Sequence, residues 1–368
     1  MVTSSFLPGR GGIESYLARL CADMAPRLAV LAPGSRDGSP VPSDLPYPSV
    51  GYKGSLLVPS RGVLQAIEAV ASAHGTRRVL FGTPWPLALL GPRLLARGYR
   101  YAVIVHGAET IVPSRVPTIK GRFTRALSGA DLLLPVSDFT RAKLERVLPR
   151  EPRIPPMHLL RAAVDLSRFR PLTDPGPTRK RLGIPDGDRI VLCFGRLVRR
   201  KGVHRLISVA RDLRQRVSHA AVVVAGTGPE ESRLRRMARE MSAPVHFLGR
   251  VTDTDAPSVF GMAEVFALPV ADRWAGMDTE GLGVVLLEAA ACGVPCVTGR
   301  SGGTPEAVHD GTTGFVVDAR READLMHAIA TLLEDRALAR RMGHAGRQLV
   351  ASSFSGEPPR AFVDWLGS

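Results

Sequence analysis

The sequence predicts an α/β protein made of two doubly wound parallel sheets, and three observations carry that expectation. Short apolar or β-branched runs alternate with amphipathic stretches along most of the chain, the pattern of parallel strands covered by helices on both faces. The alternation occurs twice, on either side of "RFRPLTDPGPTRKRLGIPDGD" (168–188), where Pro, Gly and Asp crowd together and periodicity is lost. The length, 368 residues, exceeds one ordinary core and suits two domains. With the linker near 170–180, the expected division is an N-terminal domain over 1–170 and a C-terminal domain over 171–350. A C-terminal helix over 351–368 would pack back on the N-terminal domain.

The elements follow in order. Predicted strands of the first half are "LAVLA" (28–32), "RVLFG" (78–82), "YAVIV" (101–105), "DLLLPV" (131–136) and "MHLL" (157–160). Between them run helical patterns such as Ile13, Tyr16, Leu17 and Leu20, or Val63, Ile67 and Val70. "MVTSSF" reads as a first strand that begins almost at its last residues, so either the start lies upstream or the sheet has a clipped strand. The second half offers "RIVLCFG" (189–195), "AVVVAG" (221–226), "VHFLG" (245–249), "VFALPV" (265–270), "VPCVT" (294–298) and "GFVV" (314–317). Near the end, Phe362, Trp365 and Leu366 stand at helical spacing. Two such domains leave a cleft between the C-terminal edges of their sheets, the default ligand site.

Composition narrows the partners. Lys and Arg number 49 against 34 Asp and Glu, a net charge of +15, which points to an anionic partner or to an arginine-rich surface spread over solvated faces. Aromatics are only 5% and no nucleic-acid module is recognisable, so a nucleic-acid partner is not expected. Cys292 and Cys296 have loose metal-ligand spacing but no His or second Cys pair nearby. All four cysteines read as reduced core residues of a cytoplasmic protein, and no metal is expected. The N-terminus lacks the pattern of a signal peptide, and no apolar run approaches the roughly twenty residues of a bilayer span. Membrane contact would be peripheral. Its candidate is "VPTIKGRFTRALSG" (116–129), with Ile119, Phe123 and Leu127 in a stripe beside Lys120, Arg122 and Arg125; a helix packed on its own sheet explains the stripe equally well.

Several stretches carry chemistry. "PGRGGIESYLARL" (8–20) is a glycine turn before a helix, where free N–H groups make an anion site or simply a tight turn. "FGRLVRRKG" (194–202) follows a buried strand and can aim Arg196 and Lys201 into the cleft to hold a diphosphate, with Arg199 and Arg200 facing solvent. His106 in "VHGAE" (105–109) can donate to a hydroxyl or act on a proton, although a lone His is usually structural. "VAGTGPEE" (224–231) has Glu231 where a dinucleotide fingerprint needs its third glycine, and "TDTDA" (252–256) reads as helix capping before metal binding. In "DTEGLGVVLLEAAACGVPCV", Glu280 and Glu288 are eight residues apart, too far for a shared proton. They suit two ends of an extended ligand, with a helix N-terminus between them for phosphate: a nucleotide-sugar.

These residues resemble the retaining glycosyltransferases marked by E-x7-E, met here by Glu280 and Glu288 and followed by "SGGTPE". The resemblance extends over "GGIESYLARL", "HGAE", "GRLVRRKG" and "VAGTGPEESRL". Within that family, "RWAGMDTEGLGVVLLEA" and "PGRGGIESYL" are most similar to actinobacterial phosphatidylinositol mannosyltransferases. The resemblance implies the GT-B fold, two Rossmann-like domains facing across a cleft with the acceptor bound by the N-terminal one and the nucleotide-sugar by the C-terminal one, and GDP-mannose as co-substrate with no cofactor and no metal. It implies that Arg196 and Lys201 hold the diphosphate, Glu288 the ribose hydroxyls, and Glu280 the transferred sugar, with backbone N–H groups of Gly281, Leu282, Gly283 and Val284 nearby. It further implies that His106 contacts the sugar near the reacting carbon, that Gly12 approaches the phosphates from the other domain, and that Arg250 lies near the base through its main chain.

The implied chemistry is hexosyl transfer with retention, by same-face attack, to a phosphatidylinositol-mannoside lipid at the inner membrane face. The competing reading is a soluble transferase that decorates a small-molecule or antibiotic precursor from a UDP- or GDP-sugar; a nucleic-acid binder is a remote third. One departure stands out: relatives read Gly-Val-Asp where this chain has Ala163-Val164-Asp165, and alanine would fit poorly if that turn required a positive φ.

Overall fold

The computed structural model describes residues 1–9, 11–34, 39–54, 56–107, 116–148, 154–274 and 276–367. They divide into two compact units, one formed by 1–161 with 358–368 and the other by 162–357.

In the first unit β1 (Val30–Pro33) pairs with β2 (Ser49–Tyr52), and β3 (Arg78–Phe81), β4 (Arg100–Val105) and β5 (Leu132–Pro135) form a second parallel group. Residues 1–3 join the two groups. Val2 bridges in parallel to both Leu31 and Phe81; its N–H donates to Leu80 O at 2.8 Å, and Leu31 N–H donates to Met1 O at 2.8 Å. "MVT" thus fills a strand position between β1 and β3. β2 has no apolar run to announce it, because "SVGY" is half exposed and contains a glycine. The predicted strand at 157–160 is reduced to one bridge, Met157 to Leu133, although Leu160 N–H still donates to Pro135 O at 2.9 Å. Pro135, Pro155 and Pro156 have no N–H to extend that ladder.

Helices bury their predicted faces on this sheet: Gly12–Asp23 through Leu17, Leu20 and Cys21, and Arg61–Ala73 through Val63, Leu64, Ile67 and Ala71. The helix Pro117–Ser128 turns Phe123 and Leu127 into the core, with Phe123 edge-on to Trp85 at 6.1 Å, and leaves Lys120, Arg122 and Arg125 exposed. Its apolar stripe therefore covers the protein's own core. The helix Arg360–Gly367 buries Phe362 and Trp365 in the cluster that holds Leu17 and Ile104.

The second unit contains β6 (Arg189–Phe194), β7 (Ala220–Ala225), β8 (Val245–Gly249), β9 (Val265–Leu268), β10 (Cys296–Gly299) and β11 (Gly314–Val317). Their order is β11-β10-β9-β6-β7-β8, parallel throughout. The chain leaves β6 toward β7 and β8, then returns to β9 on the other side of β6. That reversal is a topological switch point, and in such sheets the crevice past the strands' C-terminal ends takes ligands. Among the described residues, no helix is long and apolar enough to cross a membrane.

The units divide at 161, ahead of the expected linker at 170–180. Val164 N–H donates to Phe354 O at 2.6 Å, Arg347 Nη1 donates to Phe169 O at 3.0 Å, and Phe169 lies edge-on to Phe260 at 5.9 Å. These contacts tie 164–169 to the second unit, and the Pro/Gly-rich stretch holds a short helix, Gly176–Arg181. Ala163 is not among the described non-glycine residues with positive φ, so alanine fits that turn without strain.

Candidate active site

Four predicted residues, Arg196, Lys201, Glu280 and Glu288, come from the loops after β6 and β9 and from the helix that follows them, at the switch point of the second unit. After β6 the chain makes a 3-10 turn, Arg199–Lys201, before the helix Val203–Arg216. Three successive side chains of such a turn fan out about 120° apart. Arg199 points outward, 3.8 Å from Glu230, whereas Arg200 and Lys201 turn inward.

Lys201 Nζ lies 2.9 Å from Glu280 Oε2, and Arg200 pairs both with Glu280 and with Asp278 Oδ1, the latter at 2.8 Å. The expectation that Arg200 faces solvent is therefore corrected: its side chain is 19% exposed. Two carboxylates follow β9, the buried Glu280 and the half-buried Asp278, and the turn supplies two cations to meet them. Burial alone would push the Glu280 carboxyl up, but Lys201 and Arg200 overcome it and hold the group below the usual carboxylate range. Arg196 is exposed just past β6 and makes no ion pair among the described residues.

The Glu280 loop is fixed from behind by "SGG". Glu280 N–H donates to Ser301 Oγ at 3.1 Å, Ser301 Oγ donates to Asp272 Oδ1 at 2.5 Å, and Gly303 N–H donates to Glu280 O at 3.1 Å. A Cβ on Gly302, whose φ is +56°, would stand 1.8 Å from Glu280 O, so only glycine lets these loops close. The helix Val284–Ala291 starts after Gly283 in the left-handed conformation with no side-chain cap. Glu280 is thus loop-held, and only Glu288 rides the helix. Glu288 is half-buried, and burial pushes its carboxyl up to about 7, with Arg168 opposing and Asp253 reinforcing the shift.

Other predicted residues divide between site and scaffold. Leu282 and Gly283 are buried, and Gly281 and Val284 half-buried. Arg250 is exposed just past β8. The "GTG" of 226–228 is scaffold: Leu197 N–H donates to Thr227 O at 2.9 Å, and a Cβ on Gly226 would stand 2.0 Å from Gly195 O. Cys292 and Cys296 are free and buried.

His106 and Gly12 belong to the first unit. His106 follows β4, is buried, and donates from Nε2 to Gly82 O at 2.9 Å with Tyr16 edge-on at 5.4 Å, so Nε2 carries a proton. Ala108 and Glu109 of that motif, Arg10 of the glycine turn and Ala275 of "RWAGMD" lie outside the described residues. Gly12 opens its helix, exposed, and a Cβ there would meet nothing within 4 Å among the described residues. Packing gives no reason for glycine at this position, so Gly12→Ala is expected to stabilise the helix by about 0.5–1 kcal/mol. If a ligand approaches that backbone, donor KM should rise in the same variant. A higher melting temperature with unchanged donor KM would leave the turn as a turn.

Residues 176–349 match the model for glycosyl transferases group 1. Over 96% of this chain and 94% of its own, a Mycobacterium tuberculosis protein is 37% identical; it is a GDP-mannose-dependent alpha-(1-6)-phosphatidylinositol monomannoside mannosyltransferase. The chain belongs to the group 1 glycosyltransferases. A Mycolicibacterium smegmatis protein with the same description is 38% identical over 94% of this chain and 92% of its own. Among solved structures, Anabaena HepE in complex with UDP and glucose superposes with a TM-score of 0.77 at 19% identity, covering 100% of this chain and 99% of that one. This transferase therefore has the GT-B fold that its sequence implied. Arg200 and Asp278 were not singled out as site residues; the traces they left were the run of three cations, "RRK", and the first residue of "DTEGLG".

Proposed function

We infer that this group 1 transferase moves a mannosyl residue from GDP-mannose, with retention at the anomeric carbon, to a hydroxyl of a phosphatidylinositol-mannoside lipid. The observation that carries the donor chemistry is the buried Glu280 gripped by Lys201 and Arg200 at the mouth of the helix Val284–Ala291. The acceptor rests on the relatives' activity. In this reading Arg196 and Lys201 meet the charge that develops on the leaving diphosphate, a role that preorganised cations fill without a metal. Lys201 would then turn from Glu280 to phosphate, while Arg200 keeps Glu280 ionised to accept a hydrogen bond from a sugar hydroxyl. A leaving phosphate oxygen takes the acceptor's proton. Gly12 would approach the phosphates, His106 the sugar, and the Arg250 main chain the base. A lipid acceptor would hold the enzyme peripherally at the inner face of the plasma membrane.

The test is calorimetry with GDP, UDP, ADP and CDP, then transfer from GDP-mannose to the lipid mannoside and, separately, to small-molecule acceptors. Preference for UDP, or transfer only to small molecules, would overturn the reading. Glu288 adds a pH signature. Ribose hydroxyls donate to the ionised carboxylate, so GDP affinity should rise with pH as Glu288 deprotonates through about 7, a midpoint that burial raises, Arg168 draws down and Asp253 pushes up. Glu288→Gln should bind more weakly and lose that slope; an unchanged slope would detach the effect from Glu288.

A further inference from the structure

Trp274 is unusual in three respects at once. At 62% exposure it is the most exposed large apolar side chain among the described residues. Its backbone has φ +50°, a left-handed conformation that a bulky L-residue adopts at a cost of about 1–2 kcal/mol. Its loop is nevertheless closed: Arg273 and Asp278 exchange backbone hydrogen bonds at 3.1 and 3.2 Å, and Met277 N–H returns to Trp274 O at 3.1 Å. The stem is pinned as well, with Arg320 Nη2 donating to Asp272 O at 2.7 Å and Ser301 Oγ bonded to the Asp272 carboxylate. A strained aromatic residue held out to solvent by a braced loop contributes nothing to the core, and strain of this kind collects where function requires it.

We propose that Trp274 and Arg273 form the acceptor-recognition element: the indole stacks on a sugar ring of the acceptor, and the guanidinium meets its phosphate. Three observations select this occupant. The Arg273 guanidinium stacks on the indole, 4.6 Å from its centroid, so a cation and an aromatic plane are offered side by side. A phosphorylated glycoside presents the matching pair, an anion beside the apolar C–H face of a pyranose. The loop also runs straight to Glu280: Asp278, 3.8 Å from Arg273 Nη1, bonds Arg200, which holds Glu280. A bilayer is the weaker match, because among the described residues of the second unit Trp274 is the one exposed large apolar side chain, and its neighbour is a guanidinium rather than further apolar surface.

The proposal rests on the lipid-mannoside reading, and the experiment separates their failures. Wild type, Trp274→Ala and Trp274→Phe are assayed with GDP-mannose and a water-soluble acceptor, the deacylated glycerophosphoinositol monomannoside. Trp274→Ala should raise acceptor KM about tenfold with kcat and donor KM nearly unchanged, and Trp274→Phe should restore most of the loss. Arg273→Gln should weaken this acceptor but not methyl α-mannoside, which has no phosphate. An unchanged acceptor KM in Trp274→Ala overturns the proposal alone. So does a loss confined to binding phosphatidylcholine–phosphatidylglycerol vesicles, which would make the residue a bilayer contact. No transfer by wild type to this acceptor removes the lipid-mannoside reading, and the proposal with it.

Discussion

Lys201→Ala is expected to reduce kcat by about 10²–10³-fold while the protein melts close to wild type, because the cation it removes matters most in the transition state. Arg200 still pairs with Glu280 and Asp278 in that variant, so no buried carboxylate is stranded. Arg200→Ala should divide its cost the other way. Among the described residues Glu280 then keeps only Lys201 as a cation, and Asp278 only Arg273, at 3.8 Å. Breaking a buried pair from one side costs about 3–5 kcal/mol, and the lower end applies here because Asp278 is partly exposed. The pH dependence has a definite sign. Since its cations depress the Glu280 carboxyl, the stability that group contributes is present above the ordinary carboxylate range and is lost as pH falls. In Arg200→Ala that loss should begin at higher pH. Initial rates with GDP-mannose and thermal melts between acid and neutral pH check both variants. Near-normal turnover by Lys201→Ala would reduce its contact with Glu280 to scaffolding and remove it from the donor site.

Much of this arrangement was legible in the sequence, and the failures have physical causes. Buried strands announce themselves as apolar runs, and even the half-buried β8 and β11 keep enough apolar residues between turn signals for all six strands of the second unit to be found. β2 was missed because an exposed edge strand carries no such signal. The first strand is as short as it read: Val2 alone bridges, between Leu31 and Phe81. Glu280, Glu288 and the glycines of "SGG" were found because a fixed spacing of chemically distinctive residues survives without any structure. Arg200 was assigned to solvent because one arginine in a basic run looks like another. Its direction is set by a 3-10 turn and by Asp278, a residue 78 positions away. The linker failed for a related reason: Pro and Gly mark irregular chain, but Val164 and Phe169 decide which unit that chain packs on.

Trp365→Ala is expected to destabilise the first unit alone, by about 3–5 kcal/mol. The indole is 8% exposed, shares a core cluster with Phe362 and Leu17, donates from Nε1 to Asp131 Oδ2 at 2.9 Å and lies under the Arg78 guanidinium at 5.9 Å. Asp131 would keep Arg100, a largely exposed partner, so the loss comes mainly from the vacated volume. Trp365→Phe fills most of that volume and loses the hydrogen bond, for a cost nearer 1 kcal/mol. Of the proposed donor residues, Arg196, Lys201, Glu280 and Glu288 lie in the second unit and Gly12 in the first, so GDP should raise the second unit's melting transition the more. Calorimetry with and without GDP therefore assigns the transitions before any variant is compared. Trp365→Ala should lower the transition that GDP shifts less, by about 10 °C for a unit of this size. A drop in the more GDP-sensitive transition instead would mean that residues 358–367 stabilise the second unit, and that the return of the chain to its first sheet is not what holds that sheet together.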